Sequence, residues 1–98
     1  MAEMLTLTAL AADPDQFHLI DVRDAADYAA AHIAGAVHMP LAELGKRASE
    51  LPVGKTPVTV CGKGGGRSAE GAEMLKRLGH PDTLWLEGGT TGWLARNT

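Results

Sequence analysis

The segment Val58-Thr-Val-Cys-Gly-Lys-Gly-Gly-Gly-Arg-Ser68 decides the fold of this chain. It opens with an apolar, β-branched run, which predicts a buried strand over residues 57–61. The glycines of residues 62–66 predict a loop, and an apolar stripe through Ala72, Leu75 and Leu78 predicts a helix over residues 69–78. Ligands of open parallel sheets bind at the carboxyl ends of the strands. The segment therefore predicts a binding site at residues 61–67.

The loop after Cys61 is suited to holding an anion. Glycines adopt left-handed backbone conformations, so successive N–H groups can converge on one point, and the following helix adds its own unpaired N–H groups. The same surroundings stabilise a thiolate, and Cys61 is the only cysteine. Arg67 opposes the helix dipole, which indicates a negative ligand such as a sulfonate, phosphate or arsenate. The candidate binding residues are Gly62, Lys63, Gly64, Gly65, Gly66 and Arg67.

A simpler interpretation of the same segment is purely structural. A free cysteine often packs as a small apolar residue, and the glycines would then only form a tight turn. The combination of strand, glycine loop, arginine and helix favours the anion site, with Cys61 at its centre.

Strand-sized and helix-sized segments alternate on both sides of this loop. Apolar runs at residues 17–22, 36–39 and 83–86 predict further strands. Residues 9–12, 25–31 and 41–51 predict helices, the second capped by Asp24 and the third interrupted by Gly45. A glycine-rich turn at residues 87–93 leads into a short terminal helix. This alternation predicts an α/β fold with a mostly parallel sheet covered by helices on both faces.

Length and composition limit the classes of protein. A chain of 98 residues predicts one domain over residues 1–98, and 45% hydrophobic with 21% charged residues argues against wholesale disorder. The net charge of -3 and the scattered basic residues argue against a nucleic-acid partner. No apolar run approaches the length of a membrane span, so we expect no membrane partner. The N-terminus lacks the basic start of a secretory signal, which predicts a cytoplasmic location.

No metal or organic cofactor is expected from the sequence. Three of the four histidines show no metal-ligand spacing with the cysteine: His18, His38 and His80. Asp21 and Arg23 follow the predicted strand at residues 17–22, and we expect them to form a structural salt bridge rather than to contact substrate.

Four motifs follow one another along nearly the whole chain. They are Leu19-Ile-Asp-Val-Arg23, then Tyr28 with His32-Ile-Ala-Gly-Ala36 and Pro40, then the Cys61 loop closing on Arg67-Ser68, and last Leu86-Glu-Gly-Gly89 with Gly92-Trp93. With these motifs the chain resembles a single-domain rhodanese, a family of sulfurtransferases. The resemblance implies an open, mostly parallel five-stranded sheet flanked by helices, with Cys61 as the catalytic nucleophile that carries sulfur as a persulfide.

The resemblance also implies a reaction and a set of partners. A thiosulfate sulfurtransferase takes sulfur from thiosulfate or a related small anionic donor and passes it to a thiol or to cyanide. In this scheme Arg67 and Lys63 position the donor, and the backbone N–H groups from Gly62 to Arg67 hold the added negative charge. His32 is expected to fix the geometry of its loop rather than to act as a base.

Two departures from the rhodanese pattern leave alternatives open. Rhodaneses usually carry Cys-x-x-Gly-x-Arg-Ser, whereas five residues separate Cys61 from Arg67 here, and His38 replaces a common asparagine. The longer spacing occurs in cysteine phosphatases and arsenate reductases on the same fold, although this loop holds no acid to protonate a leaving oxygen. A second alternative is a sulfur-relay module that accepts persulfide sulfur from a partner protein.

Overall fold

The computed structural model describes residues 1–96 and contains a five-stranded sheet in which every pairing is parallel. The strands are β1 (Glu3–Leu5), β2 (Phe17–Asp21), β3 (Val37–His38), β4 (Thr56–Val60) and β5 (Leu84–Leu86). Their spatial order is β1-β5-β4-β2-β3. The predicted α/β class with a parallel five-stranded sheet is therefore confirmed, and β1 is a strand that no sequence pattern predicted.

Helices and single 3₁₀ turns connect the strands. The helices are α1 (Leu7–Ala12), α2 (Ala25–Ala30), α3 (Leu44–Arg47), α4 (Gly66–Arg77) and α5 (Gly89–Arg96), and the 3₁₀ turns are Pro14–Gln16, Leu41–Glu43 and Ala48–Glu50. The helix predicted over residues 41–51 is thus a short α-helix between two 3₁₀ turns, and Gly45 lies inside α3 instead of interrupting it. α4 begins three residues earlier than predicted, because the Gly65 carbonyl accepts from the N–H groups of Ser68 and Ala69.

The alternation of side chains along the two central strands builds a core on each face of the sheet. Val58 and Val60 join the cluster that contains Leu10, Leu86 and the partly buried Trp93, whereas Cys61 joins the cluster formed with α3 and α4. Each cluster is covered by helices, so the central strands are buried on both faces, as parallel sheets require.

The topology brings three chain segments to one edge of the sheet. β2, β4 and β5 are neighbours that run in the same direction, so the residues after each strand meet at the carboxyl edge. β2 leads to Asp24, β4 to Cys61 and β5 to Gly88. Asp24 precedes α2, as predicted, but its side chain makes no capping hydrogen bond; its carboxylate instead faces Arg67 across the edge.

None of the helices within residues 1–96 combines the length and the apolar character that a membrane-spanning helix needs.

Candidate active site

Cys61 lies directly after β4 and is almost fully enclosed, with 8% of its surface exposed. Its Sγ lies 3.2 Å from Ser68 Oγ and 3.4 Å from the Gly65 carbonyl oxygen. Ser68 is fully buried in the first turn of α4, and its hydroxyl donates to the Gly65 carbonyl at 2.8 Å. Thr59 Oγ1 donates to the Ser68 carbonyl at 2.6 Å, so β4 holds the start of α4 against the sulfur.

The N-terminal turn of α5 orients the loop backbone. The N–H groups of Thr90 and Thr91 donate to the carbonyls of Cys61 and Gly62, at 2.8 and 2.9 Å. In a trans peptide the N–H points opposite to the carbonyl, and the described residues contain no cis peptide. The N–H groups of Gly62 and Lys63 therefore point away from α5. The loop thus has the donor groups that an anion site requires.

Close approach between the loop and α5 explains why glycine occupies both sides of the contact. A Cβ atom on Gly89 would overlap the Cys61 carbonyl oxygen, and Gly89 also has a positive φ of 57°. On the loop side, a Cβ atom on Gly64 would lie 2.8 Å from the Gly88 nitrogen. The contact between the loop and α5 depends on the absence of side chains at these positions.

An open cleft of about 340 Å³ adjoins Cys61 and is lined by Arg23, Asp27, Cys61, Gly62 and Arg67. Cys61, Gly62 and Arg67 were predicted from the loop sequence. Lys63 is exposed and its side chain is not part of this lining, and Gly64, Gly65 and Gly66 contribute to the loop behind it. Arg23, from the end of β2, is a second cation in this lining, and a role for the Lys63 side chain in anion binding stays a prediction.

Arg23 is fixed by its neighbours in a bidentate ion pair. Its Nε and Nη2 donate to the Asp21 carboxylate at 3.0 and 2.8 Å, and Nη2 also donates to the Ala31 carbonyl at 2.7 Å. The hydrogen bonds to Asp21 raise the pKa of the Arg23 guanidinium, and the negative charges of Asp21 and Asp27 add to this effect. The predicted structural salt bridge between Asp21 and Arg23 is confirmed, and Arg23 also lines the cleft.

Arg67 stands at the outer margin of the cleft. Its side chain is about half exposed, and Nη1 lies 3.7 Å from Asp24 Oδ1. Arg67 also borders a second, mostly apolar depression of about 420 Å³ together with Leu41 and Met74. Arg67 thus lies between the Cys61 cleft and the apolar depression, and its ion pair with Asp24 is long and exposed.

A stack of three rings supports the segment that carries Arg23. Tyr28 lies between His32 and His38, with ring centroids 3.8 and 4.7 Å apart, and its hydroxyl donates to the Ala36 carbonyl at 2.6 Å. His38 Nε2 donates to the Arg23 carbonyl at 2.8 Å, and His32 Nδ1 donates to the Tyr28 carbonyl at 2.8 Å. His32 therefore has the positioning role that was predicted, and His38 holds the backbone of the cleft wall.

Within residues 1–96, no group of three or more His, Cys, Asp or Glu side chains is arranged to hold a metal ion.

The arrangement of a strand, a cysteine loop and a helix has a counterpart among known families. The family model described as "Rhodanese-like domain" matches residues 6–96 of this chain. The chain belongs to the rhodanese-like domain family.

Curated relatives place this rhodanese-like domain in several protein contexts. "Probable adenylyltransferase/sulfurtransferase MoeZ" of Mycobacterium tuberculosis is 40% identical over 77 residues, which are 76% of this chain and 19% of that protein. "Putative sulfur carrier protein YrkF" of Bacillus subtilis is 33% identical over 84% of this chain and 44% of its own length. The "Sulfurtransferase" of Allochromatium vinosum is 31% identical over 90% of this chain and 81% of its own length.

Two facts follow from these comparisons. The chain spans only about a fifth of the mycobacterial relatives and less than half of YrkF. A crystal structure of a rhodanese-related protein from Thermoplasma volcanium superposes with a TM-score of 0.85 and 26% identity, covering 96% of this chain and 92% of that one. The rhodanese-like fold therefore extends over nearly the whole described chain.

Sequence reasoning missed two residues that line the cleft of this rhodanese-like domain. Arg23 was expected to be purely structural, and Asp27 received attention only as an acidic residue near the start of a helix. Both lie more than thirty positions before Cys61 in the sequence, and only the parallel pairing of β2 with β4 brings them beside it. The charged triplet at the end of β2 was the available signal, because chain segments after neighbouring parallel strands meet at one edge.

Proposed function

We propose that this chain is a sulfurtransferase that moves sulfane sulfur from thiosulfate or a related donor to a thiophilic acceptor through a persulfide on Cys61. The observation that supports it most strongly is the position of Cys61 in a cleft with two arginines, within a domain of this family. The name of the Allochromatium vinosum relative, which matches this chain over most of both lengths, agrees with the proposal.

In the first half-reaction, the Cys61 thiolate attacks the outer sulfur of thiosulfate. The sulfur–sulfur bond of the donor breaks, its electron pair leaves with sulfite, and Cys61 keeps the outer sulfur as a persulfide. Arg67 attracts the sulfonate group, and the N–H groups of the loop stabilise the negative charge on the terminal sulfur. The Ser68 hydroxyl lies 3.2 Å from Sγ and can donate to the sulfur once the thiol proton is lost.

In the second half-reaction, a thiol or cyanide attacks the terminal sulfur and Cys61 returns to the thiolate. The two half-reactions share one cleft and pass through a covalent intermediate, so ping-pong kinetics are expected.

The test is direct detection of the persulfide. Mass spectrometry of the intact protein after incubation with thiosulfate should find one added sulfur atom, located on Cys61 by peptide mapping. Cys61→Ser should gain no sulfur and keep its fold, because the change is nearly isosteric. Added sulfur on Cys61→Ser, or none on the wild type with either thiosulfate or polysulfide, would contradict the proposal.

A second candidate function is oxyanion chemistry of the phosphatase or arsenate reductase kind. The five residues between Cys61 and Arg67 favour it, and so does Asp27, which brings to the cleft an acid that the loop itself lacks. Hydrolysis of a phosphomonoester, or thiol-dependent reduction of arsenate, faster than consumption of thiosulfate would replace the first proposal by this one.

A protein partner in a sulfur relay is the third candidate. The printed names of MoeZ and YrkF describe an adenylyltransferase/sulfurtransferase and a sulfur carrier, and both proteins are longer than this chain. In a relay, Cys61 would receive its sulfur from a protein persulfide, and thiosulfate would load it only slowly.

A further inference from the structure

The cleft beside Cys61 contains an unpaired carboxylate. Asp27 is exposed in the first turn of α2 and lines the same cleft as the sulfur. Among the described residues, its side chain makes no hydrogen bond and no close ion pair, and its attraction to Arg23 acts over a longer distance. A free carboxylate beside a thiolate is unfavourable for an anionic donor, so it calls for a functional explanation.

Each arginine of the cleft is engaged with another carboxylate, although Asp27 also attracts Arg23 electrostatically. Arg23 directs its Nε and Nη2 to the buried carboxylate of Asp21, and Arg67 lies 3.7 Å from the carboxylate of Asp24. Counting these groups gives two cations, Arg23 and Arg67, against the carboxylates of Asp21, Asp24 and Asp27. Among these five side chains the carboxylates outnumber the guanidinium groups by one, and Asp27 is the carboxylate that lines the cleft itself.

A cleft with this charge pattern suits a ligand that carries both signs. A dianion such as thiosulfate is attracted by Arg67 and repelled by Asp27. A thiol with a protonated amine and a carboxylate could place the amine near Asp27 and the carboxylate near Arg67, whose pairing with Asp24 is loose and exposed. Asp27, Arg67 and the sulfur of Cys61 all line this one cleft.

We infer that Asp27 determines the specificity of the second half-reaction, and that the sulfur acceptor is a zwitterionic aminothiol. This inference rests on the proposed function and names the substrate class of its second step. The acceptor thiolate attacks the terminal sulfur of the Cys61 persulfide, and a new sulfur–sulfur bond forms on the acceptor. The bond between Cys61 Sγ and the terminal sulfur breaks, and its electron pair returns to Cys61. The acceptor leaves as a persulfide, and no outside oxidant or reductant is needed.

The experiment uses four small thiol acceptors that carry different charged groups. The protein is loaded with sulfur by polysulfide and desalted, and its discharge is followed with L-cysteine, cysteamine, 3-mercaptopropionate and 2-mercaptoethanol. L-cysteine carries both an ammonium and a carboxylate group, and cysteamine carries the ammonium alone. 3-Mercaptopropionate carries the carboxylate alone, and 2-mercaptoethanol carries neither. Rates are compared at equal thiolate concentration. The ammonium should accelerate discharge of the wild type roughly two- to fivefold, the range expected for an exposed ion pair.

Variants separate this role from a structural one. Asp27→Asn should abolish the advantage of the ammonium and, at the same time, speed loading by thiosulfate, whereas Asp27→Glu should retain the wild-type pattern. Arg67→Gln should reduce the rate advantage that a carboxylate gives the acceptor, and it should leave the advantage of the ammonium unchanged. Asp82→Asn is the matched control, because Asp82 is an exposed carboxylate beside a cavity at the amino ends of the strands. It should leave every rate unchanged.

The outcomes distinguish the inference from the function on which it rests. If the wild type gains no sulfur from polysulfide or thiosulfate, the proposed sulfur transfer is wrong. If it gains and releases sulfur but Asp27→Asn discharges to all four thiols with wild-type ratios, the inference alone is overturned. The wild type offers a check without any variant, because raising the salt from about 10 mM to about 1 M should remove the ammonium advantage. An advantage that persists in salt would also overturn the inference.

Discussion

At the scale of single residues, Ser68 controls the immediate surroundings of the reactive sulfur. Its fully buried hydroxyl accepts from Cys61 Sγ and donates to the Gly65 carbonyl. A hydroxyl can exchange these roles by rotating about one bond. When Cys61 is a thiolate, the Ser68 hydrogen can turn to the sulfur, while the Ser68 backbone N–H continues to serve the Gly65 carbonyl.

Replacement of Ser68 tests this role. Ser68→Ala removes the only side chain that is hydrogen-bonded to Sγ among the described residues, so we expect persulfide formation at neutral pH to slow by about tenfold. The measurement is the rate of sulfur uptake by intact mass, with unfolding midpoints to verify the fold. Ser49→Ala is the matched control, because Ser49 is the only other serine and is exposed. Equal rates in the two variants would exclude a role for the hydroxyl in the chemistry.

Residues of the site were predictable where the sequence places them together. Cys61, Gly62 and Arg67 lie within seven positions, and their residue types alone indicate an anion site. Asp27 was not predictable as part of the site, because its place depends on the pairing of β2 with β4 and on the path of the chain into α2. The sequence also offered Lys63 as a second cation, but its neighbouring glycines leave the direction of its side chain undetermined.

At the scale of secondary structure, α5 acts as the support of the catalytic loop. Its first N–H groups, which have no partner within the helix, donate to the carbonyls of Cys61 and Gly62. The helix end thereby satisfies its own donors and turns the loop carbonyls away from the cleft. Gly89 makes this possible, because any side chain there would collide with the loop.

We expect Gly89→Ala to damage both stability and sulfur uptake. The added methyl group overlaps the Cys61 carbonyl and also sits on a positive φ, so the loop must shift. Gly54→Ala is the matched control, because Gly54 also has a positive φ but has open space around it, and it should cost only about 1 kcal/mol of backbone strain. Urea unfolding and persulfide formation are measured for both. Equal losses would mean that contact between α5 and the loop is unimportant.

Elements were predictable where a local pattern defines them. The central strands carry apolar, β-branched runs, whereas β1 has three residues, of which only Leu5 is buried. That strand exists because it pairs with β5 and because the Ala2 N–H donates to the Glu73 carboxylate of α4, neither of which is visible in sequence. The early start of α4 was missed for a local reason. Glycine has a low helix propensity, so the glycine-rich start of α4 does not predict a helix.

At the scale of the whole molecule, the two ends of the sheet have different roles. The carboxyl ends of the strands form the cleft, and the amino end of β2 carries a half-buried histidine, His18. Burial, followed by the positive charge of Lys55, lowers the pKa of His18 from its ordinary value of 6.5. The folded state therefore binds a proton at this position less readily than the unfolded chain does.

This difference predicts a pH dependence of stability. Above the unfolded pKa of 6.5, His18 is neutral in both states and does not change the free energy of unfolding. As the pH falls through 6.5, the unfolded chain is protonated first, so the free energy of unfolding decreases. The loss between about pH 7.5 and about pH 5 should be smaller in His18→Gln, and Lys55→Gln should recover part of it. Urea midpoints at the two pH values measure the effect. A wild type and a His18→Gln variant with identical losses would contradict it.

The hydrogen bonds from Thr90 and Thr91 couple the local unfolding of α5 to that of the loop after Cys61. Proteins open locally in units whose members lose their hydrogen bonds together, and here one unit contains both the C-terminal helix and the loop around Cys61. We expect fraying that reaches the first turn of α5 to free the loop carbonyls and with them the orientation of the loop N–H groups. The lifetime of the ordered loop should therefore depend on the opening of a helix that contributes no side chain to the cleft lining.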